Sequence, residues 1–142
     1  IKIIPYSTIA PSKRWLLIKK SEDGFSVEKT NGQWYIFYND EKDYGRVNHT
    51  IMHEIGHIVL DHTEDSELAE KEVKFFAKYA LAPPVLIHKF KLDNPESISQ
   101  IFEISYEAAC YAHDYYKKWL RFGDSDYTDY ECQLLQLFDQ AS

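Results

Sequence analysis

Three residues within five positions can do chemistry together: His53, Glu54 and His57, in the run His53-Glu54-Ile55-Gly56-His57. The stretch around them, from about Tyr44 to Leu60, has the apolar period of a helix. Residues four apart on a helix lie one above the other. Two imidazoles so placed can converge on one tetrahedral cation at Zn–N distances of about 2.0–2.1 Å. Glu54 falls about 100° further round. From there its carboxylate can serve as general base toward a water beside the cation without binding the cation itself. Ile51, Ile55 and Ile58 fall on the side away from the histidines and can pack into a core. Gly56 costs roughly 1 kcal/mol relative to Ala in a helix interior, which points to close approach of another backbone, expected from the sheet.

Two histidines do not complete a zinc site, and a third protein ligand is expected. The next helical segment, Ser66 to Leu81, offers Glu67, Glu70 and Glu72, with Glu64 just before it. At 100° per residue, Leu68, Ala69, Phe75, Phe76 and Tyr79 fall within roughly 60° of Glu72, whereas Glu70 points to the far side with Lys74 and Ala77. A carboxylate centred on an apolar face must be paired or bound to metal. Glu72 is therefore the expected third ligand, its alternative being an ion pair with a buried Arg or Lys. Asp61 and His62 are too near His57 in sequence to reach back easily. His49, one turn before His53, reads as a surface residue, and His88 and His113 have no arguable partner.

The elements that must position these residues are a few strands followed by helices. Ile1 to Tyr6 reads as a short edge strand ending near Pro5, and Pro11 to Lys20 as a helix whose apolar side is Trp15, Leu16 and Ile18. Two β-rich runs, Phe25–Thr30 and Gln33–Tyr38, flank Asn31-Gly32, a hairpin signal. After the helix that carries the motif comes Ser66–Leu81, closed by Pro83-Pro84. A short helix is expected after Asn94-Pro95, and a long one from Tyr106 to Phe122 behind Ser105 as N-cap. Thr128-Asp129-Tyr130-Glu131 is a capping box opening a last helix to about Gln140. The pattern is that of a single α+β domain over 1–142, with a small antiparallel or mixed sheet of about three strands and a helical bundle.

The chain has 142 residues and a net charge of -7, with Lys and Arg scattered rather than gathered on one face. That argues against direct nucleic-acid binding. Two cysteines, Cys110 and Cys132, are too few for a disulfide framework and read as buried free thiols, as suits a reducing, cytoplasmic setting. No apolar run is long enough to span a membrane.

With these residues in view, the chain resembles the ImmA/IrrE family of metallo-endopeptidases. Arg46, Thr50 and His53-Glu54-Ile55-Gly56-His57 look like the family's Arg-x-x-x-Thr-x-x-His-Glu-x-Gly-His helix. The run from Glu70-Lys71-Glu72-Val73 through Phe76-Ala77 to Pro83 looks like its Glu-x-Glu-Ala-x-x-Phe-Ala-x-x-Leu-Leu-x-Pro segment. Phe102 to Ala109 resembles the family's Phe-x-Val-Ser-x-x-Ala helix start. The likeness runs roughly from Ile1 to Leu120, with Val73, Ala80 and Ala82 standing where other residues are usual. The family often carries a helix before the first strand, which is absent here, and an opening at Ile1 rather than Met fits a start further upstream.

The resemblance implies a zincin-like fold, a ligand set of His53, His57 and Glu72, and zinc as the metal, with manganese as an alternative. It also implies narrow proteolysis of one protein partner, a helix-turn-helix repressor of a mobile element or stress regulon. The residues themselves give only the metal site with Glu54 as catalytic base. An oxyanion partner is expected among Tyr35, Tyr38, Tyr79 and Tyr106 without being singled out. Two other readings stay open: a non-proteolytic metal-binding module that sequesters a regulator, and a toxin-like hydrolase.

Overall fold

The computed structural model describes residues 1–123 and 126–141. The chain groups into two compact units, the first Ile1–Leu81 and the second beginning at Ala82. In the first unit, β1 (Lys2–Pro5) leads through a single 3-10 turn to α1 (Pro11–Lys20), followed by β2 (Gly24–Glu28), β3 (Trp34–Tyr38), α2 (Tyr44–Val59) and α3 (Glu67–Leu81). The sheet order is β1-β3-β2, with β3 parallel to β1 and antiparallel to β2. This is the α+β pattern with a small mixed sheet, and Pro5 ends an edge strand as expected.

The β2–β3 hairpin closes differently from a two-residue Asn-Gly turn. The Gly32 N–H donates to the Lys29 carbonyl (2.8 Å) and the Lys29 N–H to the Gln33 carbonyl (2.9 Å). Within this loop Gly32 alone takes a positive φ, +76°. The connection is thus a three-residue loop with glycine in the left-handed position. Side chains alternate across the sheet. Ile36, fully buried, and its partner Ser26 share one face. The other carries Phe25 stacked on Phe37 at 5.3 Å, with the Lys20 ammonium over Phe25 and the Lys29 ammonium over Tyr35. α1 forms behind Pro11, but Trp15, Leu16 and Ile18 are exposed rather than packed.

α3 packs on α2 through small residues. Its buried positions are Ala69, Val73 and Ala77, while Leu68 and Phe75 are exposed at 66% and 55%. A Cβ on Gly56 would lie 3.0 Å from Phe76 Cδ1 and 3.3 Å from Val73 Cγ1. The close neighbour that Gly56 admits is therefore α3, not the sheet. The absent side chain at Gly56 leaves room for the Phe76 ring and Val73 to pack directly on α2.

The second unit comprises α4 (Pro84–Lys89), α5 (Pro95–Phe102), α6 (Tyr106–Phe122) and α7 (Asp129–Ala141). Pro84 does more than stop α3: it opens α4, because proline suits a first helical position. Ala82, Ile87, Ile98, Ala109 and Ala112 form the core, flanked by Leu92, Phe102, Ile104 and Tyr116. The expected caps are present: Asn94 accepts from Ser97 N–H (2.8 Å) and Ser105 from Ala108 N–H (3.1 Å). In the capping box, Thr128 N–H donates to Glu131 Oε1 (3.0 Å) and Glu131 N–H to Thr128 Oγ1 (3.3 Å). Glu131 is buried and its Oε2 also accepts from Trp119 Nε1 (2.8 Å). Both cysteines are free, but Cys132 is exposed, since the buried side of α7 at this point is the one carrying Glu131. Among the described residues, no helix is long and apolar enough to cross a membrane.

Candidate metal centre

Two rows of side chains on α2 build the site. One row faces β2. Arg46 grips Asp23 through both oxygens, Nε to Oδ1 at 2.6 Å and Nη2 to Oδ2 at 2.8 Å. One turn on, Thr50 presses against Gly24, where an added Cβ would meet Thr50 Cγ2 at 2.7 Å and the Phe37 carbonyl oxygen at 2.7 Å. One further turn on, Ser26 Oγ donates to Glu54 Oε2 at 2.7 Å. Four helical residues advance about 6 Å and two strand residues about 6.6 Å, so Thr50–Gly24 and Glu54–Ser26 stay nearly in step. The sheet thus sets the direction of the Glu54 carboxylate. Burial pushes the Glu54 carboxyl above its ordinary value, while the Ser26 hydrogen bond pulls it back down.

The second row is His49, His53 and His57. His49 is exposed, with its ring centroid 6.3 Å from that of His53. His53 Nε2 and His57 Nε2 stand 3.1 Å apart. The third group in their midst is Glu70: its Oε1 lies 3.2 Å from His57 Nε2 and its Oε2 3.7 Å from His53 Nε2. One ligand atom from each of His53, His57 and Glu70 lies within 4.8 Å of the others. Burial holds the His53 imidazole below its ordinary value, against the pull of the Glu70 carboxylate, which keeps its lone pair available.

This donor set fits a divalent cation. Two imidazole nitrogens and one carboxylate are the ligand types of open, catalytic zinc sites. Ligand atoms at tetrahedral angles around an ion with bonds of about 2.0–2.1 Å stand about 3.3–3.4 Å apart. The observed 3.1, 3.2 and 3.7 Å bracket that spacing.

Glu72, the expected third ligand, is placed elsewhere. Its Oε2 is 2.9 Å from His62 Nε2 and its side chain is 50% exposed. The reason is the seam. The inward stripe of α3 is Ala69, Val73 and Ala77, and Glu70 lies one turn before Val73 and seven residues before Ala77, on that stripe. Of the bulky residues expected to mark the buried side, Leu68 and Phe75 are exposed like Glu72, whereas the Phe76 ring lies against Gly56. His62 does reach back. Asp61 adopts the left-handed conformation (φ 55°), so that His62 N–H donates to the His57 carbonyl (3.0 Å) and Asp61 N–H to the Ile58 carbonyl (3.3 Å). This paired C-terminal cap turns the His62 ring onto His57, with Nδ1 to Nδ1 at 3.3 Å. Glu70, Ser26 and His62 are the site residues that sequence reasoning missed. For Glu70 the helical spacing of Ala69, Val73 and Ala77 was the available signal; for Ser26 it was its place on β2. Elsewhere, His88 Nδ1 meets Tyr116 Oη at 2.9 Å, and Tyr35 lies on the sheet face away from Ser26.

No curated protein and no solved structure matches this chain. A family model does match: peptidase M78, described as the IrrE N-terminal-like domain, over residues 17–113, which includes β2, the α2 motif and all of α3. The match covers more than half of the sequence and supports a metallopeptidase-like function and a bound metal ion. The chain belongs to the peptidase M78, IrrE N-terminal-like, family.

Proposed function

We propose that this protein is a zinc-dependent endopeptidase of narrow specificity, with His53, His57 and Glu70 as metal ligands and Glu54 as general base. The observation that carries the reading is the convergence of two imidazole Nε2 atoms and one carboxylate on a single point, beside a second carboxylate held separately by Ser26. A divalent ion bound there would supply Lewis acidity, polarising a peptide carbonyl and acidifying a water molecule. The chain's own groups do the rest. Ser26 fixes Oε2 of Glu54, so the carboxylate has one orientation in which to take a proton from the attacking water and hand it to the departing amine. The raised proton affinity of Glu54, caused by its burial, suits that transfer, since it makes the carboxylate a better proton acceptor. Manganese is the alternative metal.

The substrate class follows from the family resemblance: a helix-turn-helix repressor, met in the cytoplasm. The net charge of -7 favours action on the protein rather than on its DNA. The test is to incubate the protein, with Zn²⁺ and after chelation, with such a repressor and with a panel of unfolded proteins. One discrete fragment from the repressor alone is expected. Glu54→Gln should retain metal and fold while losing activity by about 10²–10⁴-fold. Retained cleavage in Glu54→Gln refutes the mechanism. Repressor capture without cleavage by a zinc-loaded wild type would replace it with sequestration.

A further inference from the structure

We infer that His62 and Glu72 form an outer layer of the metal centre that orients His57 through its second ring nitrogen. The inference rests on the metal reading above. His57 Nε2 faces His53 and Glu70, so a cation there takes that lone pair and leaves the ring proton on Nδ1. His57 Nδ1 lies 3.3 Å from His62 Nδ1, and His62 Nε2 lies 2.9 Å from Glu72 Oε2. Only one arrangement of protons satisfies this row with neutral rings. His57 Nδ1–H donates to the His62 Nδ1 lone pair, and His62 Nε2–H donates to the Glu72 carboxylate. Each proton position follows from the metal at one end and the carboxylate at the other. The turn at Asp61 is what makes the row possible, because without its left-handed backbone His62 would continue away from α2.

A ligating histidine held by a partner on its other nitrogen has its ring plane and tautomer fixed before the metal arrives. Loss of such a partner typically weakens metal binding about 10–100-fold. His62 is well placed for this, with only 12% of its side chain exposed, whereas Glu72 is half exposed and its contribution is weakened by solvent. Glu72 thus acts on the metal at second hand, through two rings, and not as a ligand.

The experiment measures the zinc dissociation constant of the full chain by competition with a chromophoric chelator. Circular dichroism confirms that each variant is folded. His62→Phe should weaken binding about 10–100-fold. His62→Asn, whose Oδ1 can stand where Nδ1 stood, should recover much of that loss, which a purely space-filling role for His62 would not allow. Glu72→Ala, at an exposed position that leaves packing intact, should weaken binding less than His62→Phe. It should add almost nothing in the His62→Phe background, because Glu72 works only through that ring. Unchanged affinity in His62→Phe overturns the outer layer alone, and so do fully additive losses in the double variant. A Glu72→Ala loss greater than that of Glu70→Ala makes Glu72 a ligand and overturns the assignment. A wild-type chain that takes up no zinc overturns the metal reading and this inference with it.

Discussion

Gly24→Ala is the sharpest test of how the sheet positions the motif helix. The new Cβ would stand 2.7 Å from the Phe37 carbonyl oxygen, 2.7 Å from Thr50 Cγ2 and 3.3 Å from Tyr38 Cα. All three lie inside the about 3.5–4.0 Å at which carbon atoms sit at ease. The carbonyl belongs to the central strand and cannot swing aside, and Thr50 is β-branched and stiff at χ1. Relief therefore requires α2 to lift from β2 or the β2–β3 pair to splay. Overpacking of this kind costs about 1–3 kcal/mol, and the reduced freedom of the unfolded alanine chain returns about 0.4–1 kcal/mol. The net expectation is a loss of about 1–2 kcal/mol. It would be read as a lower urea midpoint at unchanged slope in the metal-free protein. Because Ser26 and Glu54 are the next contact along, peptidase activity should fall further than zinc affinity, whose ligands occupy another face of α2. A Gly24→Ala protein as stable as the wild type would refute the proposed contact between Thr50 and the sheet.

Glu70→Ala should weaken zinc binding by more than the about 10–100-fold typical of an outer-layer loss, and by more than Glu72→Ala; chelator competition on the two variants ranks them. Asp23→Asn should lower the unfolding midpoint at neutral pH. The Arg46 guanidinium holds the Asp23 carboxyl below its ordinary value of 3.8, so the pair's contribution is present above that value and is lost as pH falls through the lower folded one. Wild type and variant should therefore converge in acid, and a gap that persists there would contradict the ion pair as its source. Glu131→Ala strips acceptors from Thr128 N–H and Trp119 Nε1 at a buried position and should cost about 1–3 kcal/mol. Loss of the Trp119 environment should show in the fluorescence of the folded state.

Features set by short-range rules were legible in the sequence. Asn94, Ser105 and Thr128 announce helix starts because their side chains bond to backbone two or three residues away, and Pro5 can only end or edge a strand. The convergence of His53 and His57 is likewise local, a matter of four-residue spacing on one helix. Glu70 against Glu72 was not local. Choosing between them requires knowing which side of α3 is inward, and bulk was a misleading guide. Leu68 and Phe75 look like core, yet both are exposed, and α3 buries Ala69, Val73 and Ala77 and sets the Phe76 ring against Gly56. Phase arguments weigh hydrophobicity, whereas the side of a helix that faces its neighbour is set by how the two surfaces interdigitate. Ser26 was hidden for another reason: a serine in a strand says nothing of its partner until the hairpin register and the helix above it are both known.

Because β2 side chains alternate, Glu54's partner depends on strand register as much as on residue identity. Ser26 pairs opposite Ile36, and Gly24 opposite Tyr38. Lengthening the loop at Thr30–Gly32 would leave those pairings in place. Adding or removing one residue between Asp23 and Ser26 would not keep both, because the turn holds Ser26 opposite Ile36 while the residues before the change move one place along and to the other face. Gly24 would then leave its place opposite Tyr38, and a residue with a side chain would take it. That side chain would put a Cβ where Thr50 requires none, one turn of α2 before Glu54. The strand is thus a coded edge: insertions are tolerated at its turn and forbidden along the few residues that α2 reads.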